Sequence, residues 1–463
     1  MKIIIAGAGA VGTHLARLLS KDNQDIVVID ESPLKTATLT DSGSDDLMVI
    51  NASPTSISSL KEAGVQYADL FIAVTPHESV NINCCLLAHT LGARKTVARV
   101  DNSEYMLPQY KQVFRDMGVD SLIYPEMLAS QEIIEGLKHS WVRQYWEVHG
   151  GALVMLGIKL RTSAHILNSP LKFLTGKDSP YHIVAIKREN LTIIPGGNDY
   201  LKDGDIAYFM TTRNYVETLR KLCGKEDYTG VRNVMVMGGG KTTVLLGHTK
   251  PAWFDLRIIE ADPERCQRLN EVLDNEDIIV INGNSYDSTT LLEEGIRQCE
   301  AFVALSEEAE KNILACLAAK RLGVKKTVAM VDEMDYMDVA ERLDIGVTIN
   351  KKVIAASHIY RMMLSAGVAD LKRLALANAD VAEFITAEGS LATKHLVKDL
   401  GLPQNVALGG LVRNGVGMSI NGMTQIQAGD NVVVFALEGK IKETDRFFKA
   451  QPESLFNRIK NKL

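Results

Sequence analysis

At 463 residues, 46% of them hydrophobic, the chain is long enough for several separately cored domains. Its 51 basic and 57 acidic residues are interspersed and leave a formal net charge of -6, which argues against nucleic acid or an anionic lipid surface as the main partner. No run approaches the roughly twenty uninterrupted apolar residues of a membrane helix, and six cysteines without a Cys-x-x-Cys pair fit reduced, core-packed thiols of a cytoplasmic protein better than disulfides or zinc.

The opening Met1-Lys2-Ile3-Ile4-Ile5 predicts a buried strand rather than a signal peptide. Short apolar runs at Lys2 to Ala6, Ile26 to Ile29, Leu47 to Ile50, Leu70 to Val74 and Thr96 to Val100 read as strands covered on both faces. Val11 to Ser20 and Asn81 to Leu91 between them have helical length and period, so a parallel, doubly wound sheet is expected. Gly7-Ala8-Gly9-Ala10-Val11-Gly12 leaves the first strand and opens a helix, and Asp30 ends the next strand. Glycines there allow a tight turn and close approach of the backbone to a pyrophosphate, while the acid accepts from ribose hydroxyls and repels a 2′-phosphate, favouring NAD over NADP.

Thr75, Pro76 and Asn81 follow the fourth strand, where open parallel sheets place ligands; helix capping explains Thr75 and Asn81 equally simply. Arg99 ends the fifth strand and is placed either to face phosphates or merely to lie on the surface. Glu126, after Pro125, suits a helix start. The stretch Met127 to Trp146 reads as one long amphipathic helix, packed on its own sheet or reaching past it to a dimer contact. A second, small α+β module follows, with strands at Ile183 to Lys187, Thr192 to Pro195 and Ile206 to Met210. Gly224 to Asn233 is the natural joint between two halves.

The second half repeats the first. At a shift of 231 positions, Leu60 and Gly64 fall on Leu291 and Gly295, Asn81 on Asn312, Thr75 on Ser306, and Thr96-Val97-Ala98 on Thr327-Val328-Ala329. Later the shift is 225, and Arg188, Gly204 and Asp205 meet Arg413, Gly429 and Asp430. The expected organisation is a Rossmann-like domain over 1–125, a linking helix over 126–149, a small domain over 150–223, a linker over 224–232, then the same series over 233–350, 351–375 and 376–450, with a tail over 451–463. Gly238, Gly239 and Gly240 keep the start of the glycine turn, Thr243 replaces Gly12, and Glu260 takes the acidic role. Lys241 and Thr242 invite an ATPase-loop reading, but Met235 stands where that loop requires glycine; a nucleotide held through Lys241 and a pseudo-site kept for its fold both stay open. Met330 replaces Arg99, so the two sites should differ in ligand or affinity. No paired metal-ligand spacing, nucleophile elbow or proton-donating substrate domain accompanies either loop. The competing classes are an NAD-dependent oxidoreductase, which shares the glycine loop, and a redox-sensing repressor, which needs a basic reading element not found.

On the duplicated order, the glycine loop with Asp30, Ala73-Val74-Thr75, Ala98-Arg99-Val100, Tyr124-Pro125-Glu126 and Gly410-Leu411-Val412-Arg413, the chain resembles the TrkA family of peripheral NAD-binding regulatory subunits of bacterial Trk-type potassium uptake systems, built from domains that regulate potassium conductance. The resemblance implies binding of NAD(H) or of ATP and ADP, a homo-oligomeric ring, a tetramer, docked on a potassium-translocating membrane protein at the inner face of the cell membrane, and no catalysis. It also implies that Gly7 to Val11, Asp30, Thr75 and Arg99 line the first site, and Gly238 to Thr242, Glu260 and Ser306 the second. Ala52 and Ser53 depart from the Gly-Asp of many members, while Asn282-Gly283-Asn284 keeps that glycine.

Overall fold

The computed structural model describes residues 1–20, 24–40, 47–175, 179–189, 191–284, 286–363, 368–374, 377, 379–437 and 440–450; the expected tail lies outside them. Six strands, β1 (Lys2–Ala6), β2 (Asp25–Asp30), β3 (Leu47–Asn51), β4 (Leu70–Ala73), β5 (Thr96–Arg99) and β6 (Ser121–Ile123), form a parallel sheet in the order 3-2-1-4-5-6. Ile3, Ile4 and Ile5 are each fully buried, as a strand covered by helices on both faces must be. An antiparallel sheet follows, built of β7 (Gln144–Val148), β8 (Leu153–Lys159), β9 (Tyr181–Arg188), β10 (Leu191–Ile193) and β11 (Ile206–Thr211).

Both sheets recur. Strands β12 (Asn233–Met237), β13 (Asp255–Glu260), β14 (Ile278–Asn282), β15 (Ala301–Ala304), β16 (Lys326–Met330) and β17 (Val347–Ile349) repeat the parallel order, and β18 (Val368–Leu374), β19 (Ala379–Ile385), β20 (Val406–Arg413), β21 (Val416–Ser419) and β22 (Asn431–Leu437) repeat the antiparallel one. The residues shared by the two small domains form a clamp. Arg188 grips buried Asp205 through Nε at 2.9 Å and a second nitrogen at 2.7 Å, and Arg413 grips Asp430 at 2.8 and 2.7 Å.

Two expectations are corrected. The helix expected over Met127 to Trp146 spans Pro125–Lys138, and Trp146 lies on β7. Trp141 and Tyr145 have helical spacing, but the aromatic, β-branched run Tyr145 to Val148 pairs with Leu153 to Leu156 and opens the antiparallel sheet. In the copy, Lys351–Met363 is helix and Val368–Leu374 is strand. Strands β6 and β17, of three residues each, are too short for their periodicity to show in the sequence.

These connector helices cross between the halves. Ala129, Ile133, Ile134 and Leu137 of the first pack into the core of the second parallel sheet with Val234, Leu246 and Val303. Ala355, Ala356, Ile359 and Tyr360 of the second join the core under the first sheet with Ile3, Ile5, Leu15 and Leu19. Neither connector therefore stays on its own sheet. The antiparallel sheets also meet, with Trp146, Met155 and Tyr208 against Val381, Val433 and Phe435. The approach there is close enough that a Cβ at Gly417 would stand 2.1 Å from the Ala152 carbonyl oxygen.

Candidate functional site

The glycine turn of the first half leaves β1 between the ends of β2 and β4, where the strand order reverses. Gly7 has φ of 111°, and a Cβ there would lie 3.0 Å from the Thr75 nitrogen. At Gly12 a Cβ would fall 1.9 Å from the Gly7 carbonyl oxygen, so helix and turn touch only through glycine. Among the described residues Gly9 has no atom within 4 Å of such a Cβ, which leaves its backbone open to a ligand. The helix Ala10–Ser20 begins at once and turns its first amides toward that opening.

Asp30 is 8% exposed and holds the turn from beneath, accepting from the Ala8 amide at 2.6 Å and the Ser32 amide at 2.8 Å. Each carboxylate oxygen keeps further acceptor capacity, so this bracing is compatible with hydroxyl donors. Asn51, at the end of β3 where no motif marks it, donates to the Asp30 carbonyl at 3.0 Å, and the Ala52 amide donates to the same oxygen at 3.1 Å.

Thr75 and Asn81 are joined in a way neither expectation described. The Thr75 amide and hydroxyl donate to Asn81 Oδ1 at 2.8 and 2.7 Å, and Asn81 Nδ2 donates to the carbonyls of Thr75 at 3.0 Å and Arg99 at 2.9 Å. Asn81 is fully buried and staples the ends of β4 and β5; the helix Glu78–Thr90 has His77 as its N-cap, without a side-chain cap. Pro76 follows directly at the same rim. The Arg99 guanidinium points to Glu126, 3.8 Å away, and the same Glu126 Oε1 is 3.7 Å from Lys351 Nζ, at the start of the other half's connector. Glu126 thus has more than a helix-dipole role: it lies buried between a cation of each half, its Oε2 without a hydrogen-bond partner among the described residues. Lys351 pairs also with Asp332 at 3.2 Å.

The second half rebuilds the same frame with different atoms. Gly238 has φ of 94°. Glu260 accepts from the Gly239 amide at 2.7 Å and the Asp262 amide at 2.9 Å, with Arg265 at 3.6 Å. Gly240 is open like Gly9. Thr243, where Gly12 stands in the first half, turns its hydroxyl onto the Gly238 carbonyl at 2.6 Å, and Thr242 is buried beside it. Ser306 and Asn312 reproduce the staple, including Asn312 Nδ2 to the Met330 carbonyl at 2.8 Å. Asn282 and the Gly283 amide both donate to the Glu260 carbonyl, at 3.1 and 3.0 Å.

Lys241, one of the candidate nucleotide contacts, forms an ion pair with Asp101 of the first half, just past β5. That contact, above all others, holds the Asp101 carboxyl below its usual range. The glycine loop of one half is therefore fastened to the strand ends of the other.

A family model for the TrkA-N domain matches residues 3–125 and again 234–351, together more than half of the chain. The Trk system potassium uptake protein TrkA of Azorhizobium caulinodans is 29% identical over 461 residues, spanning 98% of this chain and 100% of that protein. The protein of the same description from Halomonas elongata is 28% identical, spanning 97% and 99%. Among solved structures, the GsuK channel (18% identical, TM-score 0.57) and the GsuK channel bound to NAD (16%, 0.55) each cover 96% of this chain with 78% of their own, and share its fold. With one TrkA-N match over each parallel sheet and similarity running end to end, the chain belongs to the TrkA family.

Proposed function

We propose that this chain is the nucleotide-sensing subunit that gates a potassium-translocating membrane partner of the Trk type, binding NAD(H), ATP or ADP at its glycine loops and acting by conformational change. It is a regulatory protein of its family and not an enzyme. The crossed connectors carry this reading. The helix Ala10–Ser20, whose amides would face the pyrophosphate, packs through Leu15 and Leu19 on Ala356 and Ile359 of the other half's connector, which leads into the second antiparallel sheet. A nucleotide that shifts this helix shifts a small domain of the opposite half.

At the first site, Gly7, Ala8, Gly9, Ala10, Val11 and Gly12 would cradle the pyrophosphate, Asp30 the ribose, and Thr75, Pro76 and Arg99 the far rim. Gly238, Gly239, Gly240, Lys241, Thr242, Glu260 and Ser306 form the second site, which has Met330 in place of the guanidinium. A ligand preferring one connector geometry tenfold would bias the gate by about 1.4 kcal/mol. A TrkA-type ring, a tetramer in this reading, would present these small domains to the channel at the inner membrane face. The test is calorimetric titration with NADH, NAD, ATP and ADP, paired with potassium flux through the reconstituted partner. Loss of the tighter binding phase in Asp30→Ala together with nucleotide control of flux supports the proposal; flux indifferent to every nucleotide sinks it.

A further inference from the structure

Away from both glycine loops, a cavity of about 70 Å3 opens where the first small domain, the joint between the halves and the second parallel sheet meet. Arg143 reaches it from the turn before β7, and Lys159 and Arg161 from the end of β8. Lys225 comes from the joint itself. Lys320, Lys325 and Lys326 face it from the second parallel-sheet domain. Among the described residues no carboxylate lines the cavity. Asp344, just behind, is shared by Arg143 and Arg161 and lies 3.2 Å from Lys320, while Glu341 is taken by Lys187 at 2.5 Å.

So dense a group of cations repels itself, and burial adds to the penalty. Lys225 and Lys326 are each 3% exposed. Lys326 donates to the Val142 carbonyl at 2.8 Å; Lys225 has no carboxylate within 4.0 Å among the described residues and lies over the Tyr228 ring, 5.5 Å from its centre. Burial first and Arg143 second bring Lys326 down to about 7, and burial, with Arg161 and then Arg143 adding to it, brings Lys225 down to about 8. A folded chain that keeps these groups together is short of negative charge at this point.

We propose that the cavity is a binding site for a compact, multiply charged oxyanion, a phosphoryl group held by the Arg143 and Arg161 guanidiniums and the Lys225 and Lys326 ammoniums. The space is enough for a few waters, hence for one tetrahedral oxyanion and not for a nucleoside. Planar guanidiniums with lysine point charges are the donor set that phosphate oxygens favour. Because the ligands come from the first small domain, the joint and the second parallel sheet, the anion would lock the two halves in one relative position. Occupancy would therefore be a second input to the gate, separate from the nucleotide.

The probes are potassium phosphate and potassium sulfate against potassium chloride at equal ionic strength, followed by thermal unfolding and calorimetry of the full chain. The expected result is a saturable rise in Tm with phosphate and sulfate, weakened at least tenfold in Lys225→Gln/Arg161→Gln, whose Tm in chloride is no lower than that of the parent. Should the double variant fail to fold, Lys325→Gln, at an exposed position, should still weaken phosphate severalfold. An adventitious surface effect, seen as no saturation or as an equal shift in the variants, would overturn the site. Comparing orthophosphate with glycerol phosphate assigns the source: tighter orthophosphate means a free ion, tighter ester a phosphorylated molecule. An NADH titration of the same samples reads the glycine loops independently, so failure of either site is seen without the other.

Discussion

In the first half the glycine turn closes because Gly12 has no Cβ to strike the Gly7 carbonyl; in the second, Thr243 occupies that place and hydrogen-bonds the equivalent carbonyl at 2.6 Å. The carboxylate braces, the asparagine staples and the open Gly9 and Gly240 are matched pair by pair. What differs besides Gly12 and Thr243 is charge. Arg99 at the end of β5 faces Glu126 in the first half, whereas Met330 replaces Arg99 in the second, and Lys352 stands at the second residue of its connector, as Glu126 does in the first. Duplication has kept the scaffold of the site and altered the electrostatics that select its ligand, so the two halves should accept the same kind of molecule with unequal affinity.

The strongest way to break this comparison is through the connectors, because they make each half depend on the other. Ile133→Ala and Ile359→Ala should each destabilise the fold by about 2–5 kcal/mol, the usual loss for a large core aliphatic. The location of the damage is the sharper reading. Hydrogen exchange should show protection falling first in β12 and β15 for Ile133→Ala, and in β1 and β4 for Ile359→Ala. Loss of protection confined to each connector's own sheet would contradict the crossed packing.

Next comes the turn itself. Asp30→Ala removes a charged acceptor from two amides, an interaction of about 1.5–3 kcal/mol, so NADH affinity should fall roughly ten- to hundredfold. Gly12→Ala should do at least as much, since its Cβ meets a carbonyl at 1.9 Å. Glu260→Ala should leave the tighter phase of a titration in place and remove only the weaker one. A single phase lost in Glu260→Ala and kept in Asp30→Ala would reverse the ranking of the halves.

The charge difference extends to the joint, where pH sharpens it. The folded chain holds Lys326 near 7 and Lys225 near 8, both depressed from the free-lysine value. Below these values the groups are protonated in both states and their burial cost is fully present; as pH rises through them toward the unfolded value the folded state sheds protons first, so stability increases. The slope is about 1.4 kcal/mol per pH unit for each group between roughly pH 8 and 10. Urea unfolding across that window should show the rise, and Lys326→Met should remove part of it.

Much of this was legible in the residues. The five strands expected of the first parallel sheet and the repeat register follow from apolar runs and glycine spacing, because a strand buried on two faces and a turn against a helix start each impose a local pattern; Asp30 and Glu260 stand out in the same way, though as ribose acceptors and not as braces of the turn. The stapling by Asn81 and its repeat Asn312 is hidden in the sequence, since capping and stapling use the same side chain and only the fold shows that the Arg99 and Met330 carbonyls lie within reach. Trp141 and Tyr145 imitated a helix across a helix end. The Lys241–Asp101 and Glu126–Lys351 contacts join positions far apart in sequence, with no local signature at either end. The crossing of the connectors is hidden for the same reason: an amphipathic helix declares that it has a partner, on its own sheet or beyond it, and not which sheet that partner is.

The smallest expected effect concerns the fastening between Lys241 and Asp101. Their side chains are 59% and 35% exposed, so solvent and salt screen the pair, and Lys241→Gln should change global stability by less than about 1 kcal/mol. Its weight lies in geometry, since the pair ties the second glycine loop to the rim of the first site. If a nucleotide phosphate at that loop competes with Asp101 for Lys241, then Asp101→Asn should strengthen nucleotide binding at the second half, about two- to fivefold and more so at low salt, while leaving Tm nearly unchanged. Equal weakening of both binding phases would mean instead that the pair positions the two loops for their ligands. An unchanged titration at low salt would show that Lys241 meets no phosphate, and the second loop would then bind through its backbone amides and Glu260 alone.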